Sequence, residues 1–109
     1  MQRKVDLSFK DLDIEKLYYS TLSLYQNLIN DEETIGDLED ELPEYTDIKD
    51  VKIEYNETSI HIKKEENQLF VNFDLYLNEK KIGYYKNQYS FEGEFIDEFL
   101  VFFPAPASL

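Results

Sequence analysis

The sequence predicts a single α+β domain in which one long N-terminal helix packs on an antiparallel meander of four to five strands. Two patterns of apolar residues support this. Apolar residues recur every three or four positions over 13–30, as on one face of a helix, and every second position from residue 51 onward, as on one face of a sheet. A chain of 109 residues, 42% of them apolar, can form one hydrophobic core. We therefore expect one domain, 1–109.

The N-terminal helix is predicted over 13–30 from its apolar stripe, which contains Ile14, Leu17, Tyr18, Leu22, Leu24, Tyr25, Leu28 and Ile29. Ser8, Asp11 and Asp13 each suit the N-cap, so the start is fixed only to within one turn. Residues 1–10 are predicted to be an arm or a short leading strand.

An acidic connector is predicted over 31–48. It has no Lys or Arg and contains nine acids, Asp31, Glu32, Glu33, Asp37, Glu39, Asp40, Glu41, Glu44 and Asp47. Ile35, Leu38 and Leu42 are spaced to hold a short helix on the domain, and Pro43 would end it. The remainder is expected to be a solvated loop.

The strands follow the connector. Residues 50–64 are predicted to form a hairpin that turns at Asn56-Glu57-Thr58, and two longer strands, 69–77 and 82–91, follow it. The segment 94–103 fits both helical and strand spacing, but its aromatic residues and the preceding Glu92-Gly93 turn favour a strand. Residues 104–109 are predicted to be a flexible tail, since prolines cannot pair within a sheet.

Composition excludes several classes of function. The chain has 24 acids against 11 Lys and Arg, a net charge of −13, which excludes a nucleic-acid binder that works through a basic face. It has no cysteine, so disulfide scaffolds and thiolate zinc sites are excluded, and its three glycines do not form a phosphate-binding pattern. No cofactor or metal is predicted.

No catalytic motif is found. His61, the single histidine, falls on the polar side of a predicted strand without a neighbouring Asp, Ser or Cys in sequence, and it is interpreted as an exposed residue. Glu92, Glu94, Asp97 and Glu98 would need to face one another across a cleft to act as acid and base, whereas a turn leaves them solvated. The chain is therefore predicted not to be an enzyme.

The acidic connector and the tyrosines are the candidates for binding a protein partner. A concentrated negative patch attracts a basic partner, and tyrosine anchors interfaces because its ring buries a large area at a small rotamer cost. The predicted partner-binding residues are Asp37, Glu39, Asp40, Glu41, Glu44, Tyr45, Tyr76, Tyr84 and Tyr85.

The ends of the chain predict a cytoplasmic location. Met1 to Phe9 contains three charges and is not followed by an apolar run, unlike a signal peptide. The longest mostly apolar stretch, Phe99 to Ala105, is too short to span a bilayer.

In size, charge and expected architecture the chain resembles the immunity proteins of bacterial contact-dependent and polymorphic toxin systems. The segment from Gly83 to Leu100, with its Phe91-Glu92-Gly93-Glu94 turn, is similar to strand–turn–strand endings in such families. The resemblance implies a cytoplasmic antitoxin, a protein–protein interaction, and inhibition of a cognate toxin, typically a basic nuclease, by tight binding.

Two alternative functions stay open at this point. A phage-encoded inhibitor of host defence, such as an anti-CRISPR protein or a DNA mimic, would share the size and charge, although a mimic would space its carboxylates along a surface rather than concentrate them in one connector. A small α+β enzyme would need a polar residue inside a cavity.

Overall fold

The computed structural model describes residues 13–42, 46–62 and 67–104. Its elements in chain order are α1 (Ile14–Asn30), α2 (Glu32–Asp40), a single turn of 3₁₀ helix (Ile48–Asp50), β1 (Lys52–Ile62), β2 (Asn67–Leu77), β3 (Lys80–Tyr89) and β4 (Phe95–Phe102). The strands form one antiparallel sheet in the order β1-β2-β3-β4. The predicted α+β class and antiparallel meander are confirmed, and the helical part consists of two helices rather than one long helix alone.

Several predictions lie outside the described residues. These are the arm at 1–10, the N-cap candidates Ser8 and Asp11, the helix stop at Pro43, and all of the predicted tail after Pro104. Glu44 and Tyr45, two of the predicted partner-binding residues, also lie there.

α1 begins at the predicted cap. The Asp13 side chain accepts a hydrogen bond from the Lys16 N–H at 3.1 Å, which satisfies one of the free amides of the first turn. Leu17, Thr21 and Tyr25 are the fully buried positions of the helix. The helix lies over β2 and β3, so its apolar stripe covers the middle of the sheet.

α2 replaces much of the loop predicted for the connector. Asp31 ends α1 in an extended conformation and caps α2, since its carboxylate accepts hydrogen bonds from the Glu33 N–H at 3.1 Å and the Thr34 hydroxyl at 3.0 Å. Ile35 and the buried Leu42 pack against the core, which confirms the short helix that their spacing indicated. The acids therefore stand on a helix rather than in a solvated loop.

The hairpin predicted over 50–64 is wrong. β1 is one continuous strand that pairs with β2 from Lys52–Tyr76 to Ile62–Asn67, and its register shifts between Tyr55 and Glu57. Asn56, the first residue of the predicted turn, is instead the extra residue of a β-bulge, which adds one residue to a strand without reversing it. The sheet therefore has four strands.

The other turns and the last strand agree with the sequence. Asn78 and Glu79, at φ 52° and 67°, form the two-residue turn between β2 and β3. Gly93, at φ 85°, provides the left-handed position of the turn that precedes β4. The segment that fitted both helix and strand is strand β4.

The core lies between the helices and one face of the sheet, which we call the helix face. Alternate residues of β2 are fully buried there, namely Leu69, Val71, Phe73 and Leu75. Leu17 is buried against them as expected, whereas Leu24 and Leu28 are only half-buried. The opposite face, which we call the open face, has no helix packed against it among the described residues.

Candidate protein-interaction surfaces

The acids of α2 form a negative surface and make no salt bridge among the described residues. Asp37, Asp40 and Glu41 are exposed and Glu39 is half-buried. Within the described ranges the one salt bridge joins Lys81 to Asp74 at 3.0 Å, so none of these carboxylates is paired. The carboxylates at the C-terminal end of α2 also lie beside the negative pole of the helix dipole, where a cation would be favourable and an anion is repelled. The cluster therefore costs stability in the isolated protein.

A largely apolar cavity of about 470 Å³ adjoins the C-terminal end of α2. Leu77, Ile82, Phe102 and Phe103 contribute its apolar lining, while Glu41 and two lysines, Lys80 and Lys81, contribute charge. A cavity of this composition can accept an apolar side chain with a polar or charged tip. The most acidic part of the surface thus lies next to a concave apolar site.

Tyr76 and Tyr84 are half-buried residues of the open face. Near Tyr84 lies a cluster centred on Lys86, whose ammonium nitrogen is 4.9 Å from the ring centroid of Phe70, 5.1 Å from that of Phe99 and 5.5 Å from that of Tyr84. The rings stabilise the ammonium group by cation–π interaction. Sequence reasoning missed this cluster, because its residues come from three strands and meet only through the sheet register.

A second cavity, also of about 470 Å³, lies on the open face beside this lysine. Its lining is mixed and includes Glu57, His61, Asn72 and Lys86. The Asn72 Oδ1 atom is buried without a hydrogen-bond partner among the described residues. The carboxylate and the ammonium group both contribute to this lining, so the cavity does not select a ligand of one charge.

Tyr85 does not belong to the surface, and its predicted role in partner binding is corrected. Adjacent residues of a strand point to opposite faces, so Tyr84 occupies the open face and Tyr85 the helix face. Its ring is fully buried, with its centroid 5.3 Å from that of Tyr25, and its hydroxyl donates a hydrogen bond to the Glu98 carboxylate at 2.8 Å. Burial and this carboxylate raise the pKa of Tyr85 far above its usual range.

Those predicted partner-binding residues that the structure describes therefore do not form one surface. The acids stand on the helix side of the molecule, Tyr76 and Tyr84 are on the open face, and Tyr85 is in the core. The alternation of side chains along β3 indicates that the two adjacent tyrosines point to opposite faces of the sheet. It does not indicate which of these faces the helices cover.

The residues considered for catalysis are exposed, as expected. His61 lies with its Nε2 atom 3.4 Å from the Ser59 hydroxyl and its ring against the edge of Phe70. Glu92, Glu94, Asp97 and Glu98 are exposed in or after the last turn. No group of three His, Asp or Glu side chains in the described part of the chain is arranged to hold a metal ion.

Comparison with known proteins gives no relative: no protein-family model matches the chain, and neither a curated protein nor a solved structure is found to be similar to it. None of the helices in the described ranges is long and apolar enough to cross a membrane.

Proposed function

We propose that this chain is a protein-binding inhibitor of a basic protein, and that the acidic surface of α2 is the centre of its binding site. The resemblance noted from the sequence makes an immunity protein, with a nuclease toxin as its partner, the specific form of this proposal. The observation that carries it is the unpaired state of the α2 carboxylates. They destabilise the free chain, and a cationic partner would relieve that cost.

Electrostatics gives this surface a defined role in binding. Exposed like charges raise the local potential and increase the rate at which an oppositely charged protein is captured, whereas they add less to affinity. A nuclease binds phosphates through clustered cations, and those same cations complement Asp37, Asp40 and Glu41. The inhibitor would then cover the surface that the nuclease uses for its substrate.

The cavity beside α2 supplies the short-range part of the interaction. Interfaces derive most of their energy from a few side chains that fill desolvated pockets. An apolar side chain of the partner that entered between Ile82 and Phe102 would bury its surface there, next to the acids at the end of α2. Long-range attraction and local anchoring would therefore act at one place on the molecule.

The experiment uses the partner captured from cells of the source organism and then purified. Asp37→Asn, Glu39→Gln, Asp40→Asn and Glu41→Gln are combined in one variant, and stopped-flow association is measured over a salt series. We expect the variant to associate about ten-fold more slowly than wild type at low ionic strength. The difference should shrink as the Debye length falls from about 30 Å at 0.01 M to about 10 Å at 0.1 M salt.

A matched variant separates the position of the charges from their number. Glu15→Gln, Glu54→Gln, Glu57→Gln and Glu79→Gln remove the same charge from exposed residues outside α2 and β4. This control should associate at nearly the wild-type rate. Equal slowing of the two variants, or no slowing of the α2 variant at any salt concentration, would contradict the proposed site.

A further inference from the structure

We propose that the outer edge of β4 is a second docking site, at which an extended segment of the basic partner adds a fifth strand to the sheet. The inference rests on the proposed function for the charge of the partner. The structural grounds are separate from α2, since they concern the backbone of the last strand and the side chains beside it.

The hydrogen-bonding pattern shows which amides of β4 are free to pair. The Phe103 N–H donates to the Ile82 carbonyl at 2.7 Å, so Phe103 points its amide inward, towards β3. Because the direction of the amides alternates along an antiparallel strand, the N–H groups of Leu100 and Phe102 point outward. The Glu98 N–H donates at 2.8 Å to the Asp97 carboxylate of its own strand. A new strand would therefore pair first with Leu100 and Phe102.

Within the part of the chain that the structure describes, the stretch of β4 from Asp97 to Phe102 lacks the usual protection of an edge strand. Natural edges are protected by lysine, proline, bulges or a covering element. Phe95–Phe102 contains neither lysine nor proline, and α1 lies over β2 and β3 instead. The register of β4 with β3 shifts once, between Phe95 and Asp97, and is regular from Asp97 to Phe102. The other edge, β1, is interrupted by its bulge at Tyr55 and contains Lys52.

The side chains around the β4 edge define the sequence that would fit it. Residues 90–104 include Glu92, Glu94, Asp97 and Glu98 and have no Lys, Arg or His. The second half of the strand, from Phe99, is apolar. A partner strand would thus place β-branched residues opposite 99–102 and lysine or arginine opposite Asp97 and Glu98. A second copy of this chain fits poorly, because it would bring the same acids and another charge of −13 to the edge.

The test uses the whole protein and a synthetic peptide, acetyl-Thr-Val-Thr-Val-Thr-Lys-Lys-Thr-amide, written for antiparallel pairing. At saturating peptide we expect hydrogen exchange at the amides of Leu100 and Phe102 to slow by about ten-fold or more, since pairing removes them from solvent. A control peptide with proline in place of its second valine, the residue that lies opposite Leu100 when the lysines lie opposite Glu98 and Asp97, keeps the charge but loses an N–H that faces β4, so it should leave exchange unchanged. Unchanged exchange with the first peptide, or equal slowing with both, would overturn the proposal.

A pair of variants separates the backbone from the side chain. Leu100→Pro removes the outward amide, whereas Leu100→Ala keeps it and loses a similar amount of packing. Loss of a hydrogen bond predicts that the proline variant binds the peptide about five- to ten-fold more weakly than the alanine variant. Equal affinities would overturn strand addition. If Leu100→Pro does not fold, exchange in the wild-type protein decides the question.

The two proposals can fail independently. A rate effect of the α2 variant without peptide pairing at β4 would retain the acidic site and reject strand addition. Peptide pairing at β4 without a rate effect of the α2 variant would retain strand addition and reject the acidic site.

Discussion

Thr21 links α1 to the sheet through a chain of buried hydrogen bonds. Its hydroxyl donates to the Leu17 carbonyl at 2.7 Å and lies 2.7 Å from the Tyr89 hydroxyl, which in turn accepts from the Asn87 amide at 3.3 Å. Because the Thr21 hydroxyl donates its proton to the Leu17 carbonyl, the Tyr89 hydroxyl must donate its own proton to the Thr21 oxygen. α1 and β3 are therefore joined by hydrogen-bonding groups that are buried away from water.

Replacing Thr21 with valine should break this chain while keeping the shape of the side chain. The Tyr89 hydroxyl would lose its acceptor inside the core, so we expect the free energy of unfolding to fall by about 1–3 kcal/mol. Thr21→Ser keeps the hydroxyl and should retain more stability than valine does. Urea unfolding measures both. A valine variant as stable as wild type would show that the hydroxyl contributes nothing.

Tyr25 contributes a hydroxyl without a hydrogen-bond partner among the described residues. Burial raises the pKa of Tyr25 from 10.0 to about 12. Between these values the unfolded chain loses the phenolic proton and the folded chain keeps it, so stability should fall from about pH 10 upward and be unaffected below it. Tyr85, whose pKa is also raised, acts in the same direction.

Tyr25→Phe should therefore be as stable as wild type at pH 7, or more stable by up to about 1 kcal/mol, because an unpaired buried hydroxyl is removed. Its stability should also fall less steeply above pH 10. Thermal unfolding at pH 7, 9 and 11 tests this, and Tyr19→Phe, at an exposed position, is the control. A clear loss of stability at pH 7 would mean that the hydroxyl has a partner.

At the scale of elements, alanine substitution at two glycines should change the stability in opposite directions. A Cβ atom on Gly83 would collide with the Val101 carbonyl oxygen and lie 3.0 Å from the Phe102 Cα, so it would push β4 from β3. A Cβ atom on Gly36, within α2, would have no described atom within 4 Å apart from its chain neighbours and the backbone of its own helix. Gly83→Ala should thus destabilise by about 1–3 kcal/mol, whereas Gly36→Ala should stabilise by about 0.4–1 kcal/mol.

Chemical denaturation of both glycine variants, with hydrogen exchange of β4, checks this contrast. Exchange should quicken in β4 for Gly83→Ala and stay unchanged there for Gly36→Ala. Similar stability of the two variants would show that the close approach of the strands is easily relieved.

Periodicity in the sequence predicted the elements where one face is buried. The alternation of Val71, Phe73 and Leu75 follows from burial of a single face and is confirmed. The stripe of α1 is confirmed in part, because Leu17 and Tyr25 are buried whereas Ile14 is exposed. The bulge of β1 was not predictable in this way, because the polar triplet at 56–58 has the composition of a turn. Only pairing along the whole of β2 selects a continuous strand.

The candidate site was predictable in part for the same reason. The concentration of acids is visible in the sequence, but their placement on α2 depends on capping by Asp31 and on packing by Ile35. The Lys86 cluster and the free edge of β4 depend on strand order and register. Local patterns do not contain that information.

At the scale of the whole molecule, charge opposes folding. The net charge is −13, and the described residues contain one salt bridge, so most carboxylates repel one another without compensation. Packing between the helices and the helix face must exceed this repulsion. A protein of this kind is most stable when salt or a basic partner screens its acids.

The free energy of unfolding should therefore rise with NaCl concentration as the Debye length falls from about 30 Å at 0.01 M to about 10 Å at 0.1 M. The variant with four neutralised acids on α2 should be more stable than wild type at low salt, by about 0.3–1 kcal/mol for each acid in the last helical turn. Its gain should shrink as salt is added. The control variant, with Glu15, Glu54, Glu57 and Glu79 neutralised, should gain less, because none of those acids lies at the negative end of a helix dipole. Urea unfolding at each salt concentration measures all three proteins. Stability that does not depend on salt would mean that the carboxylates are too far apart to repel one another, and the α2 surface would lose the energetic basis proposed for its binding.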